Sequence, residues 1–135
     1  MTDLETTVAT TEQLSRYIIE SKKMRPAQGR AHHTAFMPPP NRRLSVYRTS
    51  DLDEDAIWEI GREFVAGPLQ KTLYARADLQ AAEVTACQLR TEPAPAVHPR
   101  HANIEGWPDD DAQVRQFALV LSQRARLIQV PDTQS

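Results

Sequence analysis

The sequence predicts a small single-domain α+β fold, with a short β-sheet, two main amphipathic helices and a long N-terminal proline-rich loop. The chain of 135 residues has the length of one ordinary domain, and 40% of its residues are hydrophobic. Several short segments alternate apolar and polar residues, which is typical of half-buried strands. Two other segments repeat apolar residues every three or four positions, and strands and helices do not alternate strictly, which favours α+β.

The composition also predicts where the domain ends and where the protein resides. Residues 1–11 and 131–135 are polar, so we expect disordered tails around a domain over residues 12–130. The single cysteine, Cys87, excludes an intrachain disulfide and a multi-cysteine zinc site, and its apolar neighbours predict a packed side chain. Because the sequence has no signal peptide and no membrane-length apolar run, we expect a cytoplasmic protein without membrane contact. With one cysteine, four glycines and no metal or phosphate-binding motif, we also expect no metal and no cofactor.

The N-terminal third is the least regular part of the sequence. Residues 12–24 favour a short helix or helical turn capped by Thr11, although the RYII segment would also suit a strand. Residues 25–43 hold four of the ten prolines and sustain no period, so they predict an unusually long loop. Its apolar Ala35-Phe36-Met37 segment is expected to hold the loop against the core.

The middle of the chain predicts a strand and then a helix. Residues 44–49 alternate, with Leu44, Val46 and Arg48 on one face of the strand. The helix that follows has Asp53 as its N-cap and ends at Gly67-Pro68. Helical spacing places three apolar residues on its buried side: Ile57, Ile60 and Phe64.

The C-terminal half predicts two extended segments and the clearest helix. Residues 72–79 alternate as a strand that places Arg76 and Asp78 on one face. Residues 81–89 fit either a helical turn or a strand, residues 89–95 lead into a proline-rich connector, and RHANIEGW is a short extended piece. The last helix is capped by one of Asp109, Asp110 and Asp111, and its apolar stripe comprises Val114, Phe117, Ala118, Leu121, Ala125 and Ile128.

Charge is unevenly distributed along the chain, although the net charge is only −2. Eight basic residues lie between positions 12 and 48, opposed by Glu12 and Glu20 alone. These residues either coat one side of an ordinary mixed surface or form an anion-binding face on the N-terminal third. The overall charge balance does not by itself support nucleic-acid binding, since such domains are usually strongly basic.

The sequence contains no strong catalytic motif: it has no P-loop, G-x-G-x-x-G, G-x-S-x-G or H-E-x-x-H. Its histidines form two pairs, His32-His33 and His98 with His101, which could support acid–base chemistry or a metal if the two loops met. His101 is the candidate catalytic residue, because Asn103 would point to the same face of an extended chain. That pairing could hold a hydroxyl or phosphate oxygen, or simply bind the neighbouring strand. His33 is a candidate binding residue.

Three charged residues and one tryptophan complete the set of candidates. Arg48 would face the edge of the core and need a carboxylate, for which Asp78 is the obvious candidate. Arg48, Arg76 and Asp78 are either structural ion pairs or an arginine held ready for a phosphate or carboxylate ligand. Trp107 precedes Pro108 and the aspartates, so it either plugs the start of a helix or stacks on a base or sugar.

Six motifs occur in an order that resembles a group of short bacterial hypothetical proteins: RYIIESKKM, AFMPP, LSVYRTSDL, AIWEIG, LYARADL and HANIEGWP. Members of that group share AF-P, LSV-R, IW-IG, L-YGRAD and HANI-GWP, over most of residues 14–128. This chain departs from the pattern at Ala75, where a glycine is expected. The resemblance implies no activity or site residue, but it suggests an association with defence or mobile elements.

These observations leave three functional hypotheses. The first is a non-catalytic accessory protein that binds a protein partner through the long loop, the Arg48 and Arg76 strands and the His101 segment. The second is a small enzyme acting on a phosphate- or nucleotide-containing substrate, with His101 as acid or base and Arg48 or Arg76 as anion clamp. The third is a weak nucleic-acid binder using the basic residues of positions 16–43.

Overall fold

A six-stranded antiparallel sheet organises the chain, and the computed structural model describes residues 7–131 of it. The strands are β1 (Gln13–Ile18), β2 (Met24–Arg25), β3 (Arg30–Ala31), β4 (Leu44–Arg48), β5 (Ala75–Gln80), β6 (Arg90–Pro93), β7 (His101–Glu105) and β8 (Arg126–Gln129). The helices are α1 (Glu54–Ile60), α2 (Ala81–Ala86) and α3 (Asp111–Arg124). The sheet order is β6-β7-β4-β1-β5-β8, while β2 and β3 form a separate hairpin. The α+β class is therefore confirmed.

The predicted helix over residues 12–24 is wrong, because β1 lies at the centre of the sheet. Leu14 and Ile18 pack into the main core on one face, whereas Ser15 and Tyr17 are buried on the other. A strand that is buried on both faces loses the polar–apolar alternation that marks an ordinary strand. The four-residue spacing of its two aliphatic residues then imitates a helix.

The predicted long loop over residues 25–43 is not confirmed, because its first half folds into short elements. The β2–β3 hairpin is followed by a 3₁₀ turn at His33–Phe36, whose N-terminus is capped by the His32 side chain. Ala35 and Phe36 are fully buried in the main core, so this part of the chain is held by apolar packing. Irregular backbone continues from residue 37 to residue 43.

The main hydrophobic core lies on one face of the sheet, beneath α2, α3 and the His33–Phe36 turn. Leu14, Val46 and Ile104 share this face through the pairings of β1, β4 and β7, and Leu121 of α3 belongs to the same cluster. Cys87 is buried there too, as its apolar neighbours predict. This layer fixes the central strands, whose opposite face carries the candidate site.

A smaller core lies on that opposite face, where α1 covers Tyr17 and Tyr47. Asp53 caps α1 as predicted, accepting a hydrogen bond from the Ala56 amide at 2.8 Å. The helix continues to residue 66 as a π-helix, in which the Gly67 N–H bonds to a carbonyl five residues earlier. This wider turn moves Phe64 out of the buried stripe, so the prediction that it packs with Ile57 and Ile60 is wrong: its side chain is exposed.

The C-terminal half contains two strands that the sequence pattern does not predict. β6 occupies residues of the predicted proline-rich connector, and it lies at the edge of the sheet, where Pro93 is tolerated. The last helix ends at Arg124, so Ile128 belongs to β8 and pairs with Arg76 of β5 instead of extending the helical stripe. The short extended segment around His101 is confirmed as β7.

The predicted tails fall partly outside the described residues, which exclude 1–6 and 132–135. Within the predicted N-terminal tail, Val8 packs against the main core, and the Thr10 carbonyl accepts a 2.9 Å hydrogen bond from the Ala82 amide. Over residues 7–131, none of the helices has the length and apolar character required to traverse a bilayer.

Candidate functional site

A groove of about 730 Å³ opens on the α1 face of the sheet, over the part of β4 and β7 that α1 leaves uncovered. Its walls come from three separate segments: residues 37–43, the end of the π-helix with Pro68 and Leu69, and the connector before β7. Three exposed apolar side chains line it: Phe64, Leu69 and Val97. The groove therefore combines an apolar wall with a floor formed by polar residues of the sheet.

The floor is open because β1 and β4 pair over a short distance only. Their register pairs are Leu14 with Arg48 and Ser15 with Tyr47. Beyond these pairs the Arg16 side chain bonds to the β4 backbone, where its Nη1 donates to the Ser45 carbonyl at 3.0 Å. Its Nε donates to the carbonyl of Ala35 at 2.8 Å, which ties β1 to the 3₁₀ turn. A guanidinium thus takes the place of continued pairing between two central strands.

The groove carries positive charge. Its lining includes Arg16, Lys23 and Arg43, and no aspartate or glutamate is among its lining residues within the described part of the chain. Lys23 is paired with Glu20 at 3.1 Å, whereas the mostly exposed Arg43 lies 3.9 Å from Glu105.

Arg16 is the unusual cation of this set. It is half-buried, and no carboxylate among residues 7–131 lies within ion-pair distance of it. Burial lowers the pKa of its guanidinium to about 10, because desolvation penalises a charge that no anion offsets. Arg16 shares one face of β1 with Leu14 and Ile18, so its side chain starts on the main-core face and lines the groove where β1 separates from β4. It is therefore a charged donor without a neutralising partner in the described chain.

His101 and Ser45 form a hydrogen-bonded pair in the same floor. The Ser45 Oγ lies 2.5 Å from His101 Nε2, and His101 Nδ1 lies 3.1 Å from the Ala94 carbonyl oxygen. Since a carbonyl oxygen can only accept, Nδ1 carries a proton, and in the neutral imidazole Nε2 therefore accepts from the Ser45 hydroxyl. The His101 ring is buried and packs against Tyr47, at 5.3 Å between ring centroids. The imidazole is thus fixed in both tautomer and orientation.

Two further polar groups of the groove have no hydrogen-bond partner for their side chains within residues 7–131. Asn103 lies directly opposite Ser45 in the β4–β7 pairing and is half-buried. Tyr47 is buried, but it also lines the groove. Burial raises the pKa of its phenol, so the hydroxyl remains protonated and can donate a hydrogen bond. Both side chains can therefore donate to a ligand in the groove.

His98 supports this wall of the site without lining it. Its ring makes edge contacts with Tyr47 and Phe64, at centroid distances of 5.8 and 4.6 Å. Its Nδ1 accepts a 3.0 Å hydrogen bond from the Arg100 amide. Burial, followed by the nearby Arg100 charge, lowers the pKa of His98, so the ring favours its neutral form.

Arg48, Arg76 and Asp78 lie away from the groove and are engaged in ion pairs. The prediction that Asp78 is the partner of Arg48 is wrong, because these two residues are on opposite faces of the sheet. Arg48 donates from Nε and Nη2 to Glu12, at 2.8 Å each. Arg76 donates to Asp78 on its own strand and to Glu54 of α1, and it lies over the ring of Trp58.

The other candidates are also separated from the groove. Trp107 is buried in the main core, and its indole N–H donates to the Ile104 carbonyl at 3.0 Å. His33 lies in the 3₁₀ turn, in ring contact with His32, and neither lines the groove beside His101. Among the described residues, no group of three or more histidine, cysteine or acidic side chains could hold a metal ion.

The structure therefore brings His101 and Asn103 together with two residues that the sequence reasoning missed. Ser45 lies within the strand predicted over residues 44–49, but it was not a candidate site residue. A small hydroxyl in the middle of an apolar strand was the available signal. The sequence could not predict a role for Arg16, because its place in the groove depends on the separation of β1 from β4.

The chain matches no protein-family model, no curated protein and no solved structure. The resemblance to the short bacterial group and the association with defence elements therefore stay predictions from the sequence motifs, as does the cytoplasmic location.

Proposed function

We propose that the protein binds a small organic anion in the groove, namely an apolar group that carries a phosphate or a carboxylate. The observation that carries this proposal is the half-buried Arg16, whose charge has no carboxylate partner within residues 7–131. A buried charge without a partner is costly, and a bound anion would supply the missing charge. The planar guanidinium also matches the geometry of phosphate and carboxylate oxygens.

The rest of the groove supports a ligand of mixed character. Arg43 and Lys23 add positive charge, while Phe64, Leu69 and Val97 offer apolar surface for the remainder of the molecule. The volume of about 730 Å³ suits a small organic ligand, since such sites usually measure about 300–1,000 Å³. We therefore retain a phosphorylated molecule as a possible ligand, but we assign Arg16 and Arg43 as the residues that bind its anionic group. Arg48 and Arg76, which the sequence suggested for this role, are held in ion pairs.

Isothermal titration calorimetry tests this proposal with phenyl phosphate as probe. Phenyl phosphate is expected to bind more tightly than either methyl phosphate or phenol, because each control lacks one half of the recognised chemistry. Loss of one charged hydrogen bond at Arg16 or Arg43 is expected to weaken phenyl phosphate binding about 10-fold or more in the variants Arg16→Gln and Arg43→Gln. Equal binding of phenyl phosphate by both variants and the native protein would contradict the proposal.

Two controls separate binding from folding and from general charge. Lys22→Gln removes a charge at an exposed position outside the groove lining, so its affinity for phenyl phosphate should match that of the native protein. Arg16 also donates to two backbone carbonyls, so Arg16→Gln could disturb the fold as well as binding. Arg43 is mostly exposed, so Arg43→Gln tests binding with less effect on the fold. Near-UV circular dichroism of each variant checks that the tertiary packing is retained.

A protein partner is the second candidate ligand, and the exposed apolar residues of the groove favour it. Phe64, Leu69 and Val97 are 43%, 60% and 61% exposed, and clustered exposed apolar side chains often mark interaction sites. A pull-down from the native host with Leu69→Asp and Val97→Asp variants tests this candidate. Loss of a captured protein in both variants would favour a partner, and an unchanged set of captured proteins would exclude this surface.

Nucleic-acid binding through residues 16–43 predicts a salt-dependent mobility shift of a labelled oligonucleotide.

A further inference from the structure

We infer that Ser45 is a nucleophile, activated by His101 as general base, and that the groove hydrolyses a small ester bearing an anionic group. This inference rests on the groove being the ligand site proposed above. It adds a reaction to that site, and a residue, Ser45, that forms the covalent bond.

The hydrogen-bond geometry defines the direction of proton transfer. In the neutral imidazole, Ser45 Oγ donates to His101 Nε2 at 2.5 Å, because His101 Nδ1 donates to the Ala94 carbonyl at 3.1 Å. The Ala94 carbonyl is itself held in place, since the Ala94 amide bonds to the His101 carbonyl at 2.9 Å. A nucleophile, a base and a group that orients the base therefore follow one another within hydrogen-bond reach.

The surroundings restrict this arrangement to one productive orientation. His101 is 7% exposed and packed against Tyr47, so its ring cannot turn away from Ser45 without disturbing the smaller core. Ser45 is half-buried and lines the groove, so its oxygen is accessible to a ligand there.

Two hydrogen-bond donors lie beside Ser45 in the lining of the groove. Asn103 faces Ser45 across the β4–β7 pair, where directly opposite Cβ atoms are about 5 Å apart, and its side-chain amide has no partner within residues 7–131. On the other side of Ser45, the Arg16 guanidinium bonds to the Ser45 carbonyl and lines the same groove. An amide N–H and a guanidinium can stabilise the oxyanion of a tetrahedral intermediate.

The reaction proceeds in two balanced steps. Ser45 Oγ first attacks the ester carbonyl carbon, while His101 Nε2 takes the hydroxyl proton. The tetrahedral intermediate then collapses and breaks the carbon–oxygen bond to the leaving alcohol, which takes that proton from His101. Water next attacks the acyl-Ser45 carbonyl and gives a proton to His101. Release of the carboxylic acid returns this proton to Ser45 Oγ, so the net reaction is ester plus water giving acid plus alcohol.

A fluorophosphonate probe tests the inference on the full-length protein. Intact and peptide mass spectrometry are expected to show one adduct at Ser45, and Ser45→Ala should abolish that adduct. His101→Gln should slow labelling about 100-fold or more, since general-base assistance contributes about 10²–10⁴-fold. The exposed Ser21 is an internal control for non-specific reaction, so labelling of Ser45 no faster than Ser21 would overturn the inference.

The test also distinguishes failure of the reaction from failure of the binding proposal. Ser45→Ala should still bind phenyl phosphate by calorimetry, and phenyl phosphate should protect Ser45 of the native protein from the probe. Bound phenyl phosphate with an unreactive Ser45 would overturn the nucleophile and leave the anion site in place. A reactive Ser45 that phenyl phosphate does not protect would instead overturn the assignment of the groove as the anion site.

Discussion

Replacing Arg76 with methionine should strongly destabilise the fold, because this arginine holds buried charge together beneath α1. Its side chain is 1% exposed, and its Nε donates to Asp78 at 3.0 Å. Its Nη1 and Nη2 donate to Glu54 at 3.0 and 2.9 Å, and the guanidinium lies 4.7 Å from the centroid of the Trp58 ring. Methionine keeps much of the stem but removes every one of these donors.

Asp78 accounts for most of the expected cost. It is only 8% exposed, and without Arg76 the 2.6 Å hydrogen bond from Ser15 would be its remaining side-chain hydrogen bond within residues 7–131. Removing one partner of a buried ion pair costs about 3–5 kcal/mol, because the other charge stays buried and uncompensated. Glu54 is 66% exposed and can return to water, so its bonds add about 0–1 kcal/mol. We expect Arg76→Met to lower the free energy of unfolding by about 3–4 kcal/mol.

Urea unfolding at pH 7, followed by circular dichroism, measures this loss, with an unchanged m-value showing that the unfolded state is comparable. Asp78→Asn in the Arg76→Met background should recover about 2 kcal/mol, because a neutral amide can keep the Ser15 contact without a buried charge. Arg90→Met is the matched control, since that side chain is 60% exposed and should change stability by less than about 1 kcal/mol. An Arg76→Met cost as small as that of Arg90→Met would refute the reasoning.

Two further predictions concern close packing and acid stability. Gly61→Ala should lower the free energy of unfolding by about 1–3 kcal/mol, because the new Cβ would lie 2.6 Å from the Tyr17 ring. The ring cannot easily move away, since its hydroxyl bonds to the Ile57 carbonyl. Urea unfolding measures the loss, and native-like stability of this variant would contradict the packing. Hydrogen bonds from Arg48 lower the pKa of Glu12 below its ordinary value of 4.5, so its stabilisation is present above pH 4.5 and is lost as the pH falls below that value. Glu12→Gln should therefore be less stable at pH 7 and lose less stability between pH 4.5 and pH 3, and parallel curves for the two proteins would count against this role.

Much of the fold could be predicted where its signals are local. The Asp53 cap, the alternation of β4 and the apolar stripe of α3 each depend on residues a few positions apart, and all three elements are present. β1 was misassigned because it is buried on both faces, and the edge strands β6 and β8 are too short to carry a strong pattern. Their assignment depends on pairing with distant strands, which no local window contains.

The residues of the candidate site also fall into two sets: those that local spacing predicts and those that depend on the pairing of distant strands. His101 and Asn103 were predicted to share a face, because two-residue spacing within one extended segment settles that. Ser45 reaches His101 only through the β4–β7 register, and Arg16 enters the groove only because β1 separates from β4. The arginines that looked most like ligand clamps, Arg48 and Arg76, are instead held by Glu12, Glu54 and Asp78.

A crystal structure with 4-bromophenyl phosphate tests the groove as the ligand site most directly, because the bromine can be located by its anomalous signal. The phosphate is expected within hydrogen-bond distance of the Arg16 guanidinium and close to Arg43, with the bromophenyl ring against Phe64 and Leu69. A bound molecule found away from Arg16, with the groove empty, would contradict the assignment of the groove as the site of anion binding.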